Sequence, residues 1–440
     1  MNSSKLSKAI CLLAAGLLPG MWAMCIASPT HDNGKPTIRL VGVGNVTGDT
    51  RDLSGFDKVF VPAEGTSDDE IPEGRSFSNN MFGGISAIAW TGEKDLYWML
   101  PDRGPLDGAV DWTCRIEKVR IAVDGKKSSP IKMDLVATIV LRDSRNIPFT
   151  GLASAFEATQ TNTERLDPEG IRVLDSGNVL ISDEYGPRVI EFTTSGDFVQ
   201  ELKVPDRYLV ANPDVSKPTE NPKNLNGRAA NRGMEGLATS ENGDLFFGLM
   251  QSPLLQDSFR ETMDSTPAGL NCRMPSFDSQ SNFGAEFVYQ LDAESNKLNE
   301  VLNCGPNQFV VIERDGEVGE QAAFKKLMLI STKHASDVSD TEQLPRADLP
   351  DGIQPVAKSV LIDLLDQRWG LAGAQMPEKI EGLAFGPDID DQHRLLLVTS
   401  DNDFVPEQST AIYAFAVPKA LLKSEVRISK LVGNENPEEQ

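Results

Sequence analysis

DPEGIRVLDSGNVLISDEYGPR, residues 167–188, reads as a β-hairpin with its chemistry gathered at one end. Ile171 and Val173, then Val179, Leu180 and Ile181, are strand formers, and Asp175-Ser176-Gly177-Asn178 between them is a turn cluster. An antiparallel hairpin returns to where it began. Glu169, before the first strand, and Asp183-Glu184, after the second, therefore share one end of the sheet with Arg188.

The pattern recurs. NRGMEGLATSENGDLFFGLMQSP (231–253) has the same Glu-Gly-aliphatic start, an Asn-Gly turn and a polar exit at Gln251. KIEGLAFGPDIDDQHRLLLVTSDNDF (379–404) repeats it with a longer turn and an exit at Asp401, and FGGISAIAWTGEKDLYWMLPDRGP (82–105) repeats it with Gly83 in place of the Glu and an exit at Asp102-Arg103. The repeated glycines are Gly84, Gly170, Gly236 and Gly382, and the last gap is wide enough for two units. Such self-similarity, with several short strands per unit, predicts an all-β chain: a single β-propeller of five to six four-stranded blades. Residues 37–43 are an otherwise lone strand, which predicts that the N-terminus completes the last blade beside 411–417 and removes the free sheet edge.

Around these hairpins the remaining strands fall at 116–123 and 131–141 in the first blade and at 189–193 and 198–204 in the second. Segments 287–291 and 298–302 are read as closing the third blade. The fourth begins at 308–312 with no clear innermost strand before it, continues through 324–330 and 356–361, and is followed by a short helix within 363–370. Residues 205–232 form a Pro- and Asn-rich, locally basic stretch, read as a solvated connection in preference to an anion-binding lid. Residues 256–283 read as a second polar loop.

Residues 1–27 have the form of a secretory signal peptide: Lys5 and Lys8, an apolar run from Ile10 to Leu18, and small residues before Ser28. This predicts export to a periplasmic or extracellular space, with a mature domain over 37–430, a polar tail at 431–440, and no stable membrane insertion. The net charge of −23 argues against nucleic acid or anionic membrane as partner. Of the cysteines beyond the leader, Cys114, Cys272 and Cys304, the pair Cys272–Cys304 is the expected disulfide in an oxidising compartment.

The ordered set GGISAIAW…LPDRGP, DPEGIRV…ISDEYGPR, NRGMEGLATS…QSPLLQD, VVIERDG, KHASDV and KIEGLAFG…TSDNDF resembles the phytase-like family, named for an "esterase-like activity of phytase". The resemblance runs from about Gly83 to Phe415. It implies an exported β-propeller, loosely similar to propellers of phytase and lactonase type.

Innermost strands line a propeller's channel, so Glu169, Glu235 and Glu381 should face the axis from one end, with Asp401 beside them. Gathered carboxylates repel, and a hard cation such as Ca²⁺ would offset that cost. The same acids would equally pair with Arg103, Arg188, Arg232 and Lys379 in a dry structural network. The histidines beyond the leader, His31, His334 and His393, lie in no motif with a nucleophile, and no G-x-S-x-G elbow is present, which argues against a Ser-His-Asp esterase. The expected chemistry is metal-assisted hydrolysis of a small anionic or ester substrate. Asp183, Glu184 and Asp102 are the candidate catalytic carboxylates, and Arg103, Arg188, Arg232 and Lys379 hold the substrate. The alternatives are a non-catalytic ligand-binding propeller and a lactonase-type hydrolase.

Overall fold

Each hairpin read from the sequence is the inner half of a four-stranded antiparallel sheet. The computed structural model describes residues 37–60, 76–125, 129–156 and 163–423. The signal-peptide segment, His31 and the 431–440 tail lie outside these residues. Blade I comprises Ile85–Trp90, Leu96–Pro101, Arg115–Ala122 and Lys132–Val140, and blade II Pro168–Val173, Val179–Asp183, Arg188–Phe192 and Phe198–Leu202. Blade III comprises Met234–Thr239, Phe246–Met250, Asn271–Phe277 and Phe283–Gln290, and blade IV Lys297–Gly305, Gln308–Arg314, Lys325–Ser331 and Ala357–Asp363. Blade V comprises Lys379–Asp388, His393–Asp401 and Thr410–Pro418, and its outer strand is the N-terminal Arg39–Val46. The propeller has five blades.

The innermost strands pack successively against one another and close the ring from blade V to blade I. Five apolar wedges fill the gaps between neighbouring blades. Ile171, Ile181 and Phe192 meet Trp98, Leu100 and Ile116 between I and II, for example, and Val310, Leu327 and Ile362 meet Leu383, Val398 and Phe415 between IV and V. Innermost strands are therefore buried on both faces, whereas the outer strand Lys132–Val140 alternates between exposed and half-buried residues.

Arg39–Val46 runs antiparallel to Thr410–Pro418, with Gly44 opposite Ile412 and Val46 opposite Thr410. Its other edge is covered by Ser129–Pro130 of the neighbouring blade. Gly42 and Gly44 are required there by space: a Cβ on either would lie within 2.8 and 2.9 Å of the Ile131 side chain.

Two expectations fail in blades III and IV. Residues 298–302 do not close blade III but belong to Lys297–Gly305, the innermost strand of blade IV. The third strand of blade III is instead Asn271–Phe277, within the stretch read as a loop. Its sequence NCRMPSF hides a strand because Arg273 is fully buried against Asp257 and Glu286 and Pro275 cannot donate to a ladder. The short helix expected within 363–370 is one 3₁₀ turn, Gln367–Trp369. The Cys272–Cys304 disulfide is also absent, and Cys114, Cys272 and Cys304 are all free thiols. Cys272 is wedged between blades III and IV opposite Tyr289, while Cys304 lies at the far end of blade IV's innermost strand.

Deleting residues 37–46 should uncover the whole edge of Thr410–Pro418, including Phe415 and Tyr413. The expected outcome in size-exclusion chromatography and thermal melting is aggregation or a melting temperature lowered by about 10 °C or more. An unchanged monomeric melt would contradict the closure.

Candidate active site

Every innermost strand carries a β-bulge at its first turn, at the same mouth of the channel. One extra residue is accommodated at Ser86 in blade I, Glu169-Gly170 in II, Glu235 in III, Asn299-Glu300 in IV and Glu381 in V. A bulge re-aims the side chain it carries. Ser86, Glu169, Glu235 and Glu381 thereby line one cavity of about 350 Å³, and Asn299 reaches it by donating from Nδ2 to Glu381 at 3.1 Å. The residue after each bulged Glu is glycine because a neighbouring strand passes there: a Cβ on Gly236 would sit 2.8 Å from Val301 N. The register puts Ser86, not Gly83, in the position that Glu occupies in blades II, III and V.

Blade IV departs most. Glu300 stands where the others have Gly or Ala, is fully buried, and pairs at 2.7 Å with Arg172 of blade II, across the axis. The Arg172 guanidinium also donates to Val301 O at 2.6 Å, and Leu237 N donates to Glu300 at 3.3 Å. Beyond this strut the opposite mouth holds a second cavity, lined by Trp90, Arg172, Cys304, Phe385 and Arg394 among others.

The acids of the first cavity are held against their own repulsion. Burial, then Glu235 and Asp167, pushes Glu169 well above the ordinary carboxylate range; burial, then Glu184 and Glu381, does the same to Glu235. Glu184 is raised to about 7 by burial and by Asp167, against the pull of Arg103 and of the Gly233 N–H, which donates to it at 2.9 Å. Gln251 donates to Glu235, and Arg314 donates to Glu381 at 2.9 Å. Asp102, Asp401 and Asp403 gather in a second group close enough for their oxygens to share an ion, and so do Asp167, Glu169 and Glu184. Burial and Asp401 raise Asp102 strongly, while Asp401 is raised to about 8 by burial and Asp403.

The cations divide into paired and unpaired. Arg103 lines the cavity but is gripped by Asp167 and Asp107, and Lys379 is held by Asp401 at 3.1 Å and by Asp403. Lys217 and Lys297 also line the cavity, with no carboxylate within 4 Å among the described residues. Burial, then Arg314, brings Lys297 down to about 8.

Four residues singled out from the sequence do not line the cavity. Asp401 is buried off its wall, paired with Lys379 at 3.1 Å and accepting from Asp403 N at 2.7 Å. Asp183 is buried behind the cavity wall, accepting from Asp167 N at 2.8 Å and pairing with Arg188 Nε at 2.7 Å. Arg188 is saturated by Asp183, Glu164, Glu201 and Arg165 O, and neither residue lines the cavity. Arg232 is half-buried beside it without reaching its wall. His334 and His393 take no part, His393 pairing with Asp390 at 2.8 Å. Conversely, Asn299, Lys297, Lys217, Arg314, Asp107 and Asp403 were not among the site residues expected from the sequence, although Lys217 lies in the basic 205–232 stretch. For Asn299 and Lys297 the signal was hidden with the innermost strand of blade IV.

Over residues 80–404 the chain matches the protein-family model described as phytase-like, esterase-like activity of phytase. An uncharacterized secreted protein of Arthroderma benhamiae is 25% identical over 467 residues, covering 84% of this chain and 88% of that protein. Among solved structures, a protein of unknown function from Dyadobacter fermentans aligns with a TM-score of 0.38 and 12% identity, covering 87% of this chain and all of that one. A gluconolactonase from Xanthomonas campestris aligns with a TM-score of 0.32 and 10% identity, covering 76% and 86%.

Two outcomes are expected. A carboxyl whose folded pKa is raised binds a proton that the unfolded chain has already lost, so stability falls as pH rises from about 4.5 through 7 for Glu184. Melting temperatures in chelator should therefore decline from pH 5 to 8, and less steeply for Glu184→Gln; a flat or rising profile would overturn the repulsion argument. Arg188→Ala should leave the cavity's ligand affinity intact but strand the buried Asp183 carboxylate, at a cost of about 3 kcal/mol in denaturant unfolding.

Proposed function

The chain belongs to the phytase-like family, and from that premise and the chemistry of its channel we propose an exported, metal-assisted hydrolase of small anionic esters. The observation that carries the reading is the meeting of Glu169, Glu235 and Glu381, from three different blades, with Glu184 in one largely buried cavity. The donor set fits a hard divalent cation such as Ca²⁺: it is all oxygen, its carboxylates lack enough cationic partners, and the Asn299 Oδ1 beside Glu381 is buried with no hydrogen-bond partner among the described residues. Glu169, Glu235 and Glu381 would face the ion from three blades, with Asn299 beside Glu381, while the oxygens close enough to share one ion are those of Glu169 with Asp167 and Glu184, and of Asp102 with Asp401 and Asp403. A cation bound there supplies Lewis acidity toward a phosphoryl or acyl oxygen.

The chain's own groups cover the remaining steps. Glu184, with a pKa near 7 and the Gly233 N–H fixing one oxygen, takes the proton of an attacking water at neutral pH. Lys297 and Lys217 draw in the anionic part of the substrate, with Arg103 and Lys379 behind them as charges already shared with carboxylates. Asp183, Arg188 and Arg232 have no direct part in this scheme. The pairing of both cavity arginines, Arg103 and Arg314, favours a lactone as the second substrate class, since it needs no bidentate phosphate clamp. Export is supported by the form of residues 1–27 and by the secreted fungal relative.

The test is metal analysis of the purified protein together with a panel of phosphate, carboxylate and lactone esters. Chelation should abolish turnover and restored Ca²⁺ should recover it. Glu235→Gln should weaken cation binding about tenfold or more, because a neutral amide cannot balance the charge. Full activity in excess chelator would rule out the mechanism; bound metal with no ester cleaved would leave a ligand-binding propeller.

A further inference from the structure

The acidic cavity continues sideways into a larger one. This annex has a volume of about 690 Å³ and shares Arg103, Leu106, Asp107, Lys217 and Asn231 with the first. Its far walls come from two segments outside the hairpin repeats: residues 106–109 with 152–154 on one side, and residues 214–230 on the other. Leu106, Ala109, Leu152, Val215 and Pro218 present apolar surface there, and Val215 is 46% exposed.

Apart from Lys217, the charges on these walls are paired where they stand. Arg228 is locked to Glu220 and donates to Tyr185 O at 2.9 Å, Arg103 is held by Asp107 and Asp167, and Asp214 by Lys223. The Tyr185 ring is fixed as a wall, its hydroxyl donating to Gly151 O at 2.8 Å and its face covered by the Arg165 and Arg103 guanidinium groups. Lys217 stands at the junction and faces both spaces. The 205–232 segment is therefore a built wall. Arg260 ties it down by donating to Asn221 O at 2.8 Å and Asn224 O at 2.9 Å.

We propose that the ligands of this site are amphiphilic: an anionic or ester head in the acidic cavity, next to Lys217 and Lys297, and an apolar organic group in the annex. This rests on the reading of the first cavity as the reactive one and extends it to the substrate's second half. A compact polyanion would leave the larger of the two spaces unused. An alkyl or aryl group placed there removes apolar surface from water on both partners, and binding strengthens with each methylene.

The experiment is calorimetric titration of the intact protein, with Ca²⁺ present, using methylphosphonate and hexylphosphonate, neither of which is hydrolysed. Hexylphosphonate should bind roughly tenfold tighter or more. Ala109→Trp, which fills the annex from an exposed position, and Val215→Asp, which replaces apolar surface on its wall with a charge, should each bring that ratio close to one, with thermal melts confirming folding. Equal affinities in the wild type, a ratio that survives in both variants, or no binding of either phosphonate would overturn the proposal. Chelator-sensitive turnover with no chain-length effect would remove the annex alone. A chain-length effect with chelator-insensitive turnover would remove the metal-assisted mechanism and keep the annex.

Discussion

A channel lined by carboxylates exists only if the sheets that carry them are forced into a closed ring. Here that force is the backbone pairing of the chain's two ends, Arg39–Val46 against Thr410–Pro418. Apolar wedges between blades then supply the cohesion, and the buried acids draw on it. Charges concentrated on an axis are affordable when five hydrophobic seams surround them. An open sheet would let the acids move apart and take up water, and the raised pKa values of Glu169 and Glu235 would relax.

Where the local pattern carried the geometry, the sequence was readable. Glu-Gly before an aliphatic strand appears in blades II, III and V because the bulge needs a residue to turn inward and a following residue with no side chain. The same bulge in blade I holds Ser86-Ala87 and in blade IV Asn299-Glu300, so the pattern is lost while the backbone keeps it. Glu300 escapes the glycine requirement by pointing across the axis to Arg172. No periodicity announces a contact between blades II and IV.

The polar residues that stand off the cavity wall share a different cause. Asp183 and Arg188 sit at a hairpin exit, where either a site or a brace places an acid and an arginine. Strand alternation does not say which face of the exit turn looks into the channel, and here both look away from it. Lys217 comes from a connection that composition alone describes as solvated, and its place at the cavity depends on Arg228–Glu220 and Arg260, contacts between residues far from the motif. Surface loops become functional walls through such ties, which leave little trace in local sequence.

The Arg172–Glu300 strut has a consequence for traffic. It spans the channel between blades II and IV, and the cavities on its two sides share no lining residue. A propeller bored from end to end would admit a molecule at one opening and discharge it at the other. Here the strut stands between the acidic cavity with its side chamber and the cavity at the far mouth, so a ligand of the acidic cavity comes and goes on the acidic side. Under the proposed hydrolysis, a fragment held in the side chamber would stand in the way of the next ligand, so release from that chamber and entry to the acidic cavity would compete.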